Sequence, residues 1–323
     1  MEMDMKLKKF TTVLACVLAA CSFAACTDKD KQVQLNPYWQ ENSQAFTNID
    51  ETLTYKVAFE SDTGMNTIGY TVAYSDGEYT THLQSTQENG ENIYAYATKL
   101  TIKVTYTYGS ESVTLDDCVT SVTKFSETLK PISSDKEIIS NSPVNTNGGH
   151  TSVADCYASY HYTVSTTYSE KEGVSTVTNL KDAENPIEVR KETFNCTGGN
   201  YRYIDNEQLL FALRGVSNST TTGKFRFYNP FIDELQLVKF TFDEESGQKF
   251  DYLENGNTVS KDIAYRPVSI TLDATNPGET QTAWFAKCSN PENNANRNLL
   301  LKLETPLSYN LGKLVYTLYS VER

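Results

Sequence analysis

The sequence predicts an all-β protein built from tandem antiparallel β-sandwich domains, Ig-like or jelly-roll-like. Three observations predict it. Apolar and polar residues alternate with period two through many short runs, and turn residues punctuate those runs at roughly ten-residue spacing. No stretch of about a dozen residues holds the 3.6-residue period of an amphipathic helix.

The first element is not part of that fold. Lys6, Lys8 and Lys9 form a basic head, and Phe10 to Ala25 is an apolar run rich in Ala, Val and Leu that closes on Cys26. A charged segment followed by an apolar one is an export signal. At about 16 residues the run falls short of the roughly 20 needed to cross ~30 Å of hydrocarbon, so residues 1–25 are expected to be removed. Three cysteines compete to follow the cut and carry a diacylglycerol. Cys16 leaves too short an apolar run. Cys21, preceded by Leu18-Ala19-Ala20, fits the local pattern; Cys26 follows Ala24-Ala25 but has Phe23 three residues ahead. Cleavage at Cys26 leaves an even set of further thiols, Cys118, Cys156, Cys196 and Cys288, whereas cleavage at Cys21 strands an odd one outside the cytoplasm. Thr27-Asp28-Lys29-Asp30 comes next. A short acidic run after the lipidated cysteine resembles the surface-export signal of lipoproteins from the Bacteroidetes. That resemblance implies a lipid anchor at Cys26, an outer-membrane location and exposure at the cell surface. A plain secretory signal without lipid is the alternative.

Loss of residues 1–25 removes three positive and two negative charges, so the formal charge of −13 becomes −14. Such a surface repels phosphate polymers, and no basic stripe reverses it, which excludes nucleic acid as a partner. The four remaining cysteines are too widely spaced for a zinc site and are candidates for up to two disulfides, in any of three pairings, or for buried free thiols.

Residues 26–48 are polar, with Pro37, Tyr38 and Trp39, and read as a lipidated tether. An N-terminal domain is expected over 49–130. There Tyr55, Val57 and Phe59 share a face, Tyr70, Val72 and Tyr74 precede an Asp76-Gly77 turn signal, and Lys99 to Tyr108 puts Leu100, Ile102, Val104, Tyr106 and Tyr108 on one side. Residues 131–152 concentrate Pro, Ser, Asn and Gly and read as a linker or long loop. A C-terminal domain is expected over 153–323. In 157–168, Tyr160, Tyr162, Val164, Thr166 and Tyr168 face one way and Ser159, His161 and Thr163 the other. Further strands are expected at 209–216, 224–228, 235–242 (with a bulge near Leu237), 266–272, 299–304 and 313–321. The last is apolar on both faces, which places it centrally in a sheet. Too few of these runs reach the ten or so residues that a membrane-spanning barrel strand requires.

Catalytic signals are sparse. His82, His150 and His161 lie far apart and read as solvated, and no nucleophile elbow, metalloprotease motif or phosphate loop is present. Neither a metal nor a cofactor is indicated. The acidic clusters Asp116-Asp117, Asp205 with Glu207, and Asp243-Glu244-Glu245 are the places where a carboxylate pair could form. The 21 tyrosines suit partly wet surfaces that stack on sugars or grip a protein. Trp284 and Phe285, between Pro277-Gly278 and an Asn-rich loop, are the candidate binding pair. The expectation is a surface lipoprotein that binds a glycan or host polymer without catalysis. An adhesive or structural subunit and a carboxylate-dependent glycoside hydrolase are the alternatives. Fimbrial subunits of the Bacteroidetes are also acylated β-sandwich precursors, but those processed at arginine need one ahead of the first domain, and the first here is Arg190.

Overall fold

The computed structural model describes residues 33, 35, 49–62, 68–145, 149–182, 184–196, 200–217, 219–272, 280–287 and 298–323. The chain is all-β. Its strands are β1 (Asp50–Ser61), β2 (Thr71–Glu88), β3 (Glu91–Tyr108), β4 (Glu111–Ser126), β5 (Pro131–Pro143), β6 (Tyr157–Tyr168), β7 (Glu172–Asn179) and β8 (Ile187–Asn195). After these come β9 (Arg202–Tyr203), β10 (Thr222–Asn229), β11 (Glu234–Phe242), β12 (Ser246–Glu254), β13 (Asn257–Leu272), β14 (Gln281–Ala286), β15 (Leu300–Leu307) and β16 (Gly312–Glu322). Among the described residues one six-residue α-helix, α1 (Leu209–Arg214), interrupts them.

All sixteen strands belong to one hydrogen-bonded sheet. From β1 to β8 each strand pairs antiparallel with its sequence neighbour, because hairpins close the sheet with the least loop. The β2–β3 turn is Asn89-Gly90, both residues at positive φ (52° and 81°), the backbone that matches the twist of the flanking strands. β16 lies between β1 and β15, in the central position that its two apolar faces predict. β12 pairs β13 along its length and touches β16 in parallel at Leu253–Ser320 and Glu254–Val321. With the β13–β14–β15–β16 pairings, β12 therefore closes a five-stranded ring.

The other end of the sheet curls over by side-chain contact. Phe194 of β8 stacks on Tyr228 of β10 with ring centroids 3.9 Å apart, and Arg190 Nη1 donates to Pro230 O at 3.3 Å. Helix α1 fills the concave face. Phe211 meets Tyr96 and Phe125 at 5.1 Å each, and its burial contributes roughly 2–3 kcal/mol. Gln208 Nε2 donates to Leu129 O at 3.0 Å, and Asn298 Nδ2 donates to Arg214 O at 2.9 Å, satisfying a carbonyl at the helix C-terminus.

Several expectations are corrected. Residues 131–152 do not separate two domains: Pro131–Pro143 is β5, paired to β4 and β6, so the ladder runs through the proposed boundary. Its Ser and Asn residues look like turn formers, but Ser134 bonds Thr123 of β4, Asn141 bonds Asp117 of β4 and Ser159 of β6, and Ser140 and Ser142 bond each other. The run 209–216 is helical over Leu209–Arg214 rather than a strand. It is apolar all round and is entered through a capping box at Asp205 and Gln208. Asp76-Gly77 makes no hairpin. It is a bulge within β2, with Asp76 at φ 51° and Gly77 so close to β1 that a Cβ would lie 2.7 Å from Val57 Cβ. The β10–β11 ladder passes Leu237 unbroken. In the supposed tether, Val33 is buried in the main core and Leu35 bridges to Val216, while Cys26, Tyr38 and Trp39 lie outside the described residues.

One irregularity has its own chemistry. The β4–β5 ladder stops at Cys118–Ile139, whereas β3–β4 continues to Tyr108–Glu111 and β5–β6 to Pro143–Tyr157. Where β5 leaves β4, side chains replace the ladder. Asp117 Oδ1 accepts from Asn141 N at 2.9 Å and from Asn141 Nδ2 at 2.8 Å, and the Tyr106 hydroxyl donates to Asn141 O.

Candidate functional site

The inner face of β5 and β6 meets the β9–α1 connection and the β10–β11 turn at a cleft of about 520 Å³, counted out to its open mouth. Period-two geometry decides which β5 and β6 residues reach it: Ser134 and Lys136 from one strand, Val164, Thr166 and Tyr168 from the other.

The opposite wall is set by a cap. Asp205 Oδ1 accepts the backbone N–H of Glu207 at 2.8 Å, which starts the single turn Asn206–Gln208 and aims Glu207 across the cleft. There Lys136 Nζ donates to Glu207 Oε1 at 2.7 Å, with the two side chains 13% and 17% exposed. Asn206 Nδ2 donates to the same oxygen at 3.1 Å, and that bond orients the amide, since an ionised carboxylate only accepts. Asn206 Oδ1 is consequently a buried acceptor that meets no donor among the described residues. An unmet buried acceptor costs about 1–3 kcal/mol.

The aromatic wall is equally fixed. Tyr168 donates its hydroxyl to Asp205 Oδ2. Tyr228 donates to Asp233 Oδ1 at 2.7 Å, and Phe231, whose N–H is held by Asn229 Oδ1 at 3.1 Å, packs edge-on against Tyr162. These hydroxyls are committed, so the rings offer apolar surface to the cleft. Burial pushes Asp205 up to about 6, against the Tyr168 hydrogen bond that pulls it down, and burial also raises Tyr168 and Tyr228.

The structure brings Asp205 and Glu207 together as the sequence suggested, and adds Lys136, Asn206, Tyr168 and Tyr228. None of these four stood out in the sequence. The usable signal was Asp205-Asn206-Glu207-Gln208 ahead of Leu209 to Leu213, a capping box before an apolar run.

The other candidates lie elsewhere. Trp284 sits in the middle of β14, not at a loop end, half-buried with Lys302 Nζ 4.7 Å from its ring; Phe285 is 4% exposed and belongs to the core. Cys118, Cys156 and Cys196 are free thiols, so no disulfide joins them, and Cys288 lies outside the described residues. His82 pairs with Asp50 at 2.6 Å and His161 with Glu137 at 2.7 Å on exposed faces. His150, expected to be solvated, is instead buried, its Nε2 3.0 Å from Val144 O and its ring edge-on to Tyr70. Asp243-Glu244-Glu245 lies at the surface, where Glu245 pairs with Lys287. Among the described residues no His, Cys, Asp and Glu group could hold a metal ion, and no helix is long and apolar enough to cross a membrane.

No protein-family profile matches the chain, and neither does any curated protein. Among solved structures, the chain is similar to a β-barrel-like protein from Brucella abortus belonging to a domain of unknown function, at 8% identity and a TM-score of 0.47, covering 84% of this chain and 97% of that one.

Proposed function

We propose that this is a surface lipoprotein, anchored to the outer membrane through Cys26, that binds a glycan or host polymer in the cleft between β5–β6 and the β9–β10 region, and that it is not an enzyme. Faces of one curled sheet pack there in a sandwich-like manner, in place of two tandem domains. The observation that carries the reading is the composition of the cleft, with apolar rings on one side and hydrogen-bonding groups on the other. Its acids favour binding over hydrolysis. Asp205 uses one oxygen to cap the turn and the other to receive Tyr168, and Glu207 is neutralised by Lys136. A glycosidase needs one carboxyl free to give a proton and a second aimed at the sugar.

A second reading, a carboxylate-dependent hydrolase, draws on the same pair, since Asp205 sits near 6, in the range of a general acid. Adhesion remains the third. Native electrophoresis of the signal-processed protein through polysaccharide-impregnated gels, with parallel assay of new reducing ends, separates them. Retardation without product is the expected result; product release supports hydrolysis, and neither signal moves the weight to a protein partner.

A further inference from the structure

Three side chains of different chemistry meet at one oxygen. Lys136 Nζ donates to Glu207 Oε1 at 2.7 Å and Asn206 Nδ2 donates to the same oxygen at 3.1 Å, so an amine, a carboxylate and a carboxamide are neighbours. The curl of the sheet brings the lysine of β5 to the other two. With side chains 13% and 17% exposed, Lys136 and Glu207 are the most buried lysine–carboxylate pair among the described residues. Val164, Phe231 and the rings of Tyr168 and Tyr228 line the same space, and both tyrosine hydroxyls are committed elsewhere. Asn206 Oδ1 is buried and meets no donor among the described residues.

A solvated ion pair calls for neither the amide nor the burial. In a dry setting separated charges are costly, and passage of one proton from Nζ to Glu207 Oε1 leaves a neutral amine beside a neutral acid. The amine is then a nucleophile. The acid is then a donor, and a half-turn of the Asn206 amide sets Oδ1 against it in place of Nδ2. That turn satisfies the unmet acceptor and draws electrons from the amide carbon Cγ.

We propose that Lys136 and Asn206 join in an intramolecular isopeptide bond, with Glu207 carrying the protons. The Nζ lone pair forms a bond to Asn206 Cγ, and a proton from Nζ passes through Glu207 to Nδ2. The Cγ–Nδ2 bond then breaks and ammonia leaves, taking up the proton that Glu207 first accepted and restoring the carboxylate. The reactants are held together by the fold, so the reaction is unimolecular and needs no other reagent. Burial of Oδ1 keeps water from competing for the amide. The chain acts on itself once, which makes the bond a covalent brace between β5 and the β9–α1 connection. It stands or falls independently of what the cleft binds.

The test is mass spectrometry on a tryptic digest of the signal-processed protein. The expected product is a branched peptide joining residues 136 and 206, lighter than its two parts by one ammonia, with Lys136 left uncut. The branch is the criterion, because Asn89-Gly90 and Asn255-Gly256 also shed ammonia if they close to succinimides. Lys136→Arg and Asn206→Ala are expected to give linear peptides only. Glu207→Gln keeps both bonding partners and is expected to lower the branched fraction by tenfold or more. Because a variant could fail to fold, the unsubstituted protein carries the test by itself. Linear 136 and 206 peptides from the folded, unsubstituted chain overturn the bond. A branch at Lys136 that has lost water in place of ammonia assigns the linkage to a carboxyl group and overturns Asn206 as the partner. An undiminished branch in folded Glu207→Gln overturns its role as proton carrier.

Discussion

Arg214 Nη1 donates to Glu51 Oε1 at 2.6 Å, with the two side chains only 5% and 4% exposed. The bond joins the end of α1 to β1, and Arg323 Nε adds a second contact to Glu51 Oε2 at 3.1 Å. Burial pushes the Glu51 carboxyl up, but the two guanidiniums outweigh it and hold the group below its ordinary value. Replacing Glu51 with Ala strands a buried guanidinium and is expected to cost about 3–5 kcal/mol in urea unfolding. The double replacement Glu51→Leu with Arg214→Met removes the two most buried charges and is expected to cost much less than the single one, since the Arg323 side chain that loses its Glu51 contact is 20% exposed and reaches water.

Asp117 behaves in the opposite sense. It is 2% exposed, its Oδ2 has no partner among the described residues, and burial raises it to about 7. The folded state therefore holds this proton more tightly than the unfolded chain, whose carboxyl titrates near 3.8. Stability from this group is present below that value and falls as pH rises to about 7, by on the order of 4 kcal/mol. Urea midpoints at pH 5 and pH 8 should show the wild type weaker at pH 8, and Asp117→Asn should shrink the difference. An unchanged difference would assign the pH dependence to other groups.

Tyr168 holds Asp205 in place, and Asp205 holds the turn that presents Glu207. Tyr168→Phe removes the donor to Asp205 Oδ2, so the Asp205 carboxyl is expected to titrate above its present value of about 6, followed by carbon-detected NMR. Stability is expected to fall by about 1–3 kcal/mol. Asp205→Ala also removes the cap, for an expected loss of about 1–2 kcal/mol, and should weaken glycan retention by misdirecting Glu207.

Cys26→Ala is expected to release the processed protein from the membrane fraction. Metabolic labelling with a fatty acid checks it: continued acylation of the variant would assign the lipid to Cys21.

What can be read along the chain is whatever depends on near neighbours. Period-two alternation in 99–108 and 157–168 identified β3 and β6 and which of their faces is inward, and the doubly apolar 313–321 announced a central strand, because burial of a strand face imposes its pattern on consecutive residues. The same logic gave the wrong answer at 209–216, where six apolar residues are too few to display a helical period and only the cap at Asp205 distinguishes helix from strand.

The tertiary structure decided what depends on distant partners. Ser134, Ser140 and Asn141 look like turn residues until β4 and β6 bury and hydrogen-bond them. Asp205 and Glu207 become one wall of a cleft only because the sheet curls far enough to bring Lys136 and Tyr168 against them. The sequence by itself determined an acidic, all-β chain, since charge and alternation are local properties. The single curled sheet, the helix inside it and the cleft arise from long-range pairing, which satisfies buried polar groups with partners that no stretch of sequence contains.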